Sequence, residues 1–176
     1  RMGNYSLSLS WHSKVISFVV LFLVFGFQAV GCAAEAGEFS GKWIANGVKE
    51  VFISNSDIQI YTFKFSGHVN LQSNIGKKND YWAECIGLSD SATGATARCV
   101  WKDLDGAEIY LSLQSSAIQK DKRVTGTILG GSNKLEGISG ELSYSWSSVS
   151  TQLNENGRKT TITGQTLDLS GSYVIP

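Results

Sequence analysis

The sequence predicts an all-β protein: a single closed antiparallel β-barrel of about eight strands, preceded by an N-terminal signal helix. Short apolar runs recur along the chain between clusters of Gly, Asn, Asp and Ser, which is typical of sandwiches and barrels. The composition agrees, because 19 Gly residues accompany a single Pro. No segment after residue 36 keeps an apolar stripe at helical spacing for more than a couple of turns, which argues against a parallel α/β sheet.

The N-terminal segment has the pattern of an export signal. Residues 15–30 read VISFVVLFLVFGFQAV, with Lys14 before them and small residues after them. A buried helix or a membrane span is the alternative, but the run is short for a span and no cationic cluster follows it. We therefore expect residues 1–32 to be a signal peptide and residues 37–176 to form the barrel domain of a secreted or periplasmic protein.

The end of this signal allows two kinds of processing. Ala29-Val30-Gly31-Cys32 is similar to the lipobox of bacterial lipoproteins, in which the cysteine becomes lipidated. Cys32 would then anchor an outer-membrane lipoprotein, and this anchor is the only membrane contact that we predict. Ordinary cleavage within residues 32–36 would instead release a soluble protein, since small residues suit signal peptidase there.

The predicted strands follow one another at short intervals up to the C-terminus. The last ones alternate most clearly: Leu142, Tyr144 and Trp146 lie between serines, and a second such pattern runs to Ile175. Such alternation predicts strands with one buried face and one solvent-exposed face. The predicted strands are 39–48, 58–65, 68–72, 81–88, 96–103, 107–114, 124–129, 138–146 and, in two parts, 159–175.

Cys85 and Cys99 form an even pair once Cys32 is set aside, which suits an oxidising compartment. If residues 81–88 and 96–103 are a hairpin, these two cysteines lie opposite each other. We predict a disulfide between them, although two buried thiols or one reactive cysteine would also fit the sequence.

Charge and histidine content exclude several functions. Lys and Arg total 15, as do Asp and Glu, so the chain lacks the basic field that a nucleic-acid partner requires. With two His in the whole chain, multi-His zinc sites and most Ser/His/Asp sites are excluded. We predict no metal and no organic cofactor, and neither a hydrolase nor a metalloenzyme.

The glycine-rich stretch LGGSNKLEGISGEL, residues 129–142, carries a family resemblance through Gly130, Gly131, Gly137 and Gly140. It resembles the GG[ST]G-x-[FY]-x-G-x-x-G signature of plant allene oxide cyclases, dirigent proteins and bacterial domains with the same barrel. Residues 83–106 also resemble bacterial members. Asn133 stands where the family has Gly, and Asn tolerates left-handed backbone. Leu135 occupies the aromatic position, where it would plug the barrel end.

The resemblance implies a compact eight-stranded antiparallel barrel, often trimeric, with an apolar cavity. It also implies enzymes that cyclise or couple a reactive substrate by holding it in one conformation. Since the family's catalytic residues do not map onto this chain one by one, the resemblance predicts fold rather than activity.

One face of the predicted hairpins is rich in large apolar residues, and we place it inside the barrel, which would turn Glu84 into the lumen near Arg98 or Lys102. The face comprises Trp82, Glu84, Ile86, Leu88, Arg98, Val100, Lys102, Ile109, Leu111 and Leu113. A carboxylate in an apolar cavity can act as a general acid or base, or bind a polar ligand head.

The alternative places Glu84, Arg98 and Lys102 on the outer surface as weak cross-strand ion pairs. Trp82, Ile86 and Leu113 would then form an exposed apolar patch that a homo-oligomer would have to cover.

The sequence thus predicts a barrel that binds a small, mainly apolar molecule in its lumen. The predicted ligand-binding residues are Trp82, Glu84, Arg98, Tyr144, Trp146 and Tyr173. One alternative is a cyclase or isomerase that confines its substrate, with Glu84 as the catalytic acid or base. Another is a structural or interaction barrel whose core is filled. Trp43, Tyr144, Trp146 and Tyr173 would then simply be core residues.

Overall fold

The computed structural model describes residues 34–117, 123–154 and 157–176. The predicted signal helix, the lipobox and Cys32 lie outside the described residues. Within them, we find no helix with the length and apolar character needed to cross a membrane.

Eight antiparallel strands form a closed barrel in which each strand pairs with the next and β1 pairs with β8. This confirms the predicted fold class for the barrel. The strands and one short 3₁₀ helix, η1, are β1 Glu35–Ser54, β2 Gln59–Ser73, β3 Lys78–Asp90, β4 Gly94–Asp103, β5 Glu108–Ser115, β6 Arg123–Gly131, η1 Asn133–Leu135, β7 Ser139–Leu153 and β8 Lys159–Ile175.

Two of the strands are continuous where the sequence predicted two parts. β2 runs without a break through Ser66 and Gly67, where we expected two strands, because a glycine there lets β1 approach closely. β8 is also one strand, but Asp168 adopts a φ of 54°. This irregularity shifts the alternation, so Leu169 is buried whereas Leu167, two residues before it, is exposed.

Cys85 and Cys99 lie directly opposite each other on β3 and β4 and form the predicted disulfide. Both residues are buried in the hydrophobic core. Closing a loop of this size stabilises the folded state by about 3 kcal/mol on the chain-entropy model. A disulfide is also typical of oxidising compartments such as the extracellular space or the periplasm.

The predicted inner face of β3 and β4 is wrong, because the turn that joins β4 to β5 has three residues, Leu104–Gly106, between Asp103 and Ala107. Asp103 and Ala107 close this loop by a backbone hydrogen bond, and Gly106 has a φ of 84°. An odd loop keeps odd residues opposite odd ones, so Cys99 pairs with Leu111 and shares its face.

Odd-numbered residues of β3 and β4 therefore point inward, and the even-numbered ones point outward. The inner set includes small residues such as Ala83, Gly87 and Ala97. They fit because large rings from neighbouring strands fill the space: a Cβ added to Gly87 would lie 2.4 Å from the ring of Phe63. The larger apolar side chains of β3 and β4 therefore do not mark the face that points inward.

One end of the barrel is sealed by the segment between β6 and β7. Leu135 of η1 is buried in the core, as predicted. Lys134 forms ion pairs with Asp103 at 2.8 Å and Asp105 at 2.5 Å, which tie η1 to the β4–β5 loop. Asn133 adopts the predicted left-handed conformation, with a φ of 55°. We call this end the sealed end.

The glycine signature supplies the backbone geometry of this segment. Gly137 has a φ of 77°, which a residue with a side chain would adopt only with strain. Gly131 is crowded, since an added Cβ would lie 2.5 Å from the carbonyl oxygen of Leu135 and 2.6 Å from that of Glu108.

Two inward glycines provide a matched test of how tightly the barrel closes. A Cβ added to Gly67 would lie 2.0 Å from the carbonyl oxygen of Ile44 on β1, whereas at Gly126 it would lie 2.7 Å from a methyl group of Leu113. We expect Gly67→Ala to lower the free energy of unfolding by about 3 kcal/mol, since backbone cannot yield as a side-chain tip can. Gly126→Ala should lower it by less, about 1 kcal/mol.

Urea unfolding of the two variants and the wild-type protein measures this difference. Equal losses of stability in both variants would contradict the close approach of β1 and β2 at Gly67.

Tyr81, which packs against Trp101 at 6.2 Å near the sealed end, generates a pH prediction. Burial, reinforced by the negative charge of Asp103, raises its pKa from 10.0 to about 12. The phenol of the unfolded chain ionises at the lower pH, so the free energy of unfolding should fall as pH rises between these two values. In Tyr81→Phe this fall should be smaller, as measured by urea unfolding across that pH range. Superimposable profiles would show that Tyr81 is not responsible.

Candidate binding cavity in the barrel lumen

A cavity of about 470 Å³ occupies the lumen at the other end of the barrel, where β3 leads into β4. We call this end the mouth. Residues of all eight strands contribute to the cavity, together with the residues that follow β5. Its walls are mostly apolar and aromatic. The lining residues are Trp43, Lys49, Tyr61, Phe63, Phe65, Cys85, Ser89, Ala95, Thr96, Ala97, Leu113, Gln114, Ser115, Ser116, Ala117, Val124, Tyr144, Trp146, Ser148 and Ile162.

Aromatic rings from β1, β2 and β7 form a continuous wall of this cavity. Trp146 lies 5.5 Å from Trp43 and 5.2 Å from Phe65, measured between ring centroids. Phe63 continues the series at 5.6 Å from Phe65. Such tilted and edge-on contacts are favourable and hold each ring in place. The wall therefore presents a rigid apolar surface to the lumen.

An irregularity in β1 sets the position of Trp43. The β1–β8 register shifts between Gly41 and Ile44, which takes the Trp43 backbone out of the ladder. Its N–H donates instead to the hydroxyl oxygen of Thr166 at 2.9 Å, and Thr166 is buried. A polar side chain thus fixes the backbone from which the indole extends.

One polar group of the wall is buried without a hydrogen-bond partner among the described residues. The indole N–H of Trp43, a side chain only 3% exposed, has no hydrogen-bond acceptor. Tyr144 packs edge-on against it at 6.4 Å. Burial raises the pKa of the Tyr144 hydroxyl above its usual range, so this group stays protonated at neutral pH.

Lys49 is the one charged residue among the described residues that line the cavity. Its ammonium group lies 3.6 Å from the centre of the Tyr61 ring, a cation–π contact. No Asp, Glu or His is found among the same residues. Across the described part of the chain, no cluster of three or more His, Cys, Asp or Glu side chains is placed to hold a metal ion.

Two of the six predicted ligand-binding residues, Tyr144 and Trp146, line the cavity. Glu84, Trp82 and Arg98 lie on the outer surface, so the prediction that they face the lumen is wrong. The cause is the odd loop between β4 and β5, which turns their face outward. Arg98 donates to the Ser112 hydroxyl at 2.6 Å on that outer face.

Tyr173 does not line the cavity either, because it lies at the opposite, sealed end. Its hydroxyl donates to the carboxylate of Glu35 at 3.0 Å, and its ring packs against Phe39 at 6.5 Å. The irregularity at Asp168 separates this part of β8 from the part that borders the cavity.

Sequence reasoning did not include Trp43 among the predicted ligand-binding residues, and it missed the aromatic residues of β2. Tyr61, Phe63 and Phe65 stand at alternate positions of one strand, and all three line the cavity. This spacing was visible in the sequence and would have identified an aromatic inner face.

Comparison with known proteins adds one structural match. No family model and no curated protein matches the chain. Among solved structures, a pterocarpan synthase dirigent protein aligns over 98% of both chains, with 12% sequence identity and a TM-score of 0.33. Independently of that alignment, the strand count, strand order and closure are those implied by the glycine signature. In architecture, the chain is therefore a closed eight-stranded antiparallel barrel, as the glycine signature implied.

Proposed function

We propose that this barrel binds a small, mainly apolar molecule in the cavity at its mouth. The observation that carries the proposal is an aromatic wall beside a space of about 470 Å³, within the range of small-molecule sites. A barrel with a filled core would leave no such space. Burial of apolar ligand surface supplies the affinity, at about 25 cal/mol per Å² before the cost of association is subtracted.

Binding is favoured over acid–base catalysis by the residues at the cavity. Its described lining contains no carboxylate and no imidazole, and Glu84, the predicted catalytic acid or base, lies outside. A cyclase or isomerase would lack the predicted acid or base here and would act mainly by confining its substrate. We therefore put ligand binding first and confinement of a reactive substrate second.

A narrowed mouth tests the proposal. Ala95 lines the cavity, so we expect Ala95→Trp to weaken binding of the fluorescent apolar probe N-phenyl-1-naphthylamine by roughly tenfold or more. Thr62→Trp, on the outer face of β2, is the matched control and should bind the probe like the wild-type protein. Thermal unfolding of both variants checks that the barrel remains intact. Absence of saturable binding to the wild-type protein would overturn the proposal and favour a structural barrel.

We further propose that the outer face of β3 and β4 contacts a second copy of the chain. Ile86 is 64% exposed and Trp82 is 52% exposed, and Val100 lies beside them on β4. Glu84 and Arg98 lie within the same patch, so one copy offers both charges that the other requires. A homo-oligomer would remove this apolar surface from water. The family resemblance implies a trimer.

Sedimentation velocity tests this contact. We expect the wild-type protein to sediment as an oligomer and Ile86→Lys to shift it toward the monomer, since a desolvated lysine opposes association. Phe52→Lys is the control, because Phe52 is 76% exposed but lies outside the patch. A wild-type monomer, or equal effects of both substitutions, would contradict the proposal.

We also propose that residues 1–32 direct the barrel out of the cytoplasm. The Cys85–Cys99 disulfide supports an oxidising destination. A free secreted or periplasmic protein and a lipoprotein anchored through Cys32 both fit that destination.

A further inference from the structure

We infer that the cavity selects ligands that carry a hydrogen-bond acceptor, a carbonyl oxygen on an apolar ring system, and that Trp43 and Tyr144 bind this oxygen. This inference deepens the proposed function and rests on it. It assigns a polar anchor to a cavity whose walls are otherwise mostly apolar.

The unpartnered indole N–H of Trp43 is the first observation. An indole nitrogen only donates, so only an acceptor can satisfy it. Leaving a buried donor unpaired destabilises the folded protein. Trp43 lines the cavity, and its indole is buried without an acceptor among the described residues. Other atoms of the barrel cover this N–H, so a ligand oxygen that binds it has to move a neighbouring side chain aside.

The Tyr144 hydroxyl is the second, independent observation. It belongs to a different strand, lines the same cavity and packs against Trp43 with the ring planes at 86°. The phenol remains a donor at neutral pH because burial opposes its ionisation. Two donors on adjacent rings match the two lone pairs of one carbonyl oxygen.

The surrounding rings define the rest of the ligand. Trp146 and Phe65 continue the wall from Trp43, and flat apolar rings pack well against such a surface. The lining offers no carboxylate to pair with a cationic ligand. Neutral aromatic ketones combine a planar apolar ring system with a carbonyl oxygen that can accept these hydrogen bonds.

The chain contains its own control for the indole group. Trp101 is also buried with an unpartnered indole N–H, but it lies near the sealed end and does not line the cavity. Trp101→Phe therefore removes the same chemical group from a similar environment without touching the anchor.

Two probes of similar shape test the anchor: 2-acetonaphthone, which carries a carbonyl, and 2-isopropylnaphthalene, which does not. We expect calorimetry to show that the wild-type protein binds the ketone more tightly than the hydrocarbon. Trp43→Phe should weaken ketone binding by roughly tenfold, the value of one buried hydrogen bond, and leave hydrocarbon binding within about twofold. Tyr144→Phe should act in the same direction, and Trp101→Phe should change neither affinity.

The outcomes separate the two proposals. If both probes bind equally well, or if Trp43→Phe weakens both alike, the cavity binds apolar molecules without the anchor and this inference is wrong. If neither probe binds the wild-type protein, the proposed function fails as well. Thermal unfolding of each variant shows whether a lost affinity reflects a lost fold.

Discussion

The pairing of β1 with β8 joins the first strand of the barrel to the last, and the site depends on it. This closure leaves the sheet no open edge and encloses the inner side chains. The same pair of strands carries the irregularity that frees the Trp43 backbone for its bond to Thr166. Closure of the barrel and the geometry of the site therefore both depend on the β1–β8 pairing, which continues on either side of the register shift.

The barrel architecture could be predicted because it depends on patterns that are local in sequence. The turn clusters, the cysteine pair and the glycine signature each constrain a short stretch, and all three agree with the structure. Gly137 and Asn133 adopt the left-handed conformations that the signature segment requires. Leu135 likewise occupies the buried position expected from the motif.

The inner face of β3 and β4 could not be predicted from side-chain size. Large apolar residues are expected on the buried face, but in these two strands the small residues face inward. Ala83 and Ala97 face the interior, while Trp82 and Ile86 face outward. What decides the face is whether a loop has an odd or even number of residues, and one residue reverses every assignment beyond it. Glu84 was misplaced for this reason, whereas Tyr144 lies on a strand with unambiguous alternation and was placed correctly.

The seal at Leu135 gives the lumen a blind end, and this has a kinetic consequence. A ligand that entered at the mouth would have to leave by the same opening, so this opening would control both association and dissociation. The depth of the lumen would then limit ligand length, because the part of a longer molecule that does not fit would stay in solvent. Substitutions at the aperture would change residence time and size discrimination together.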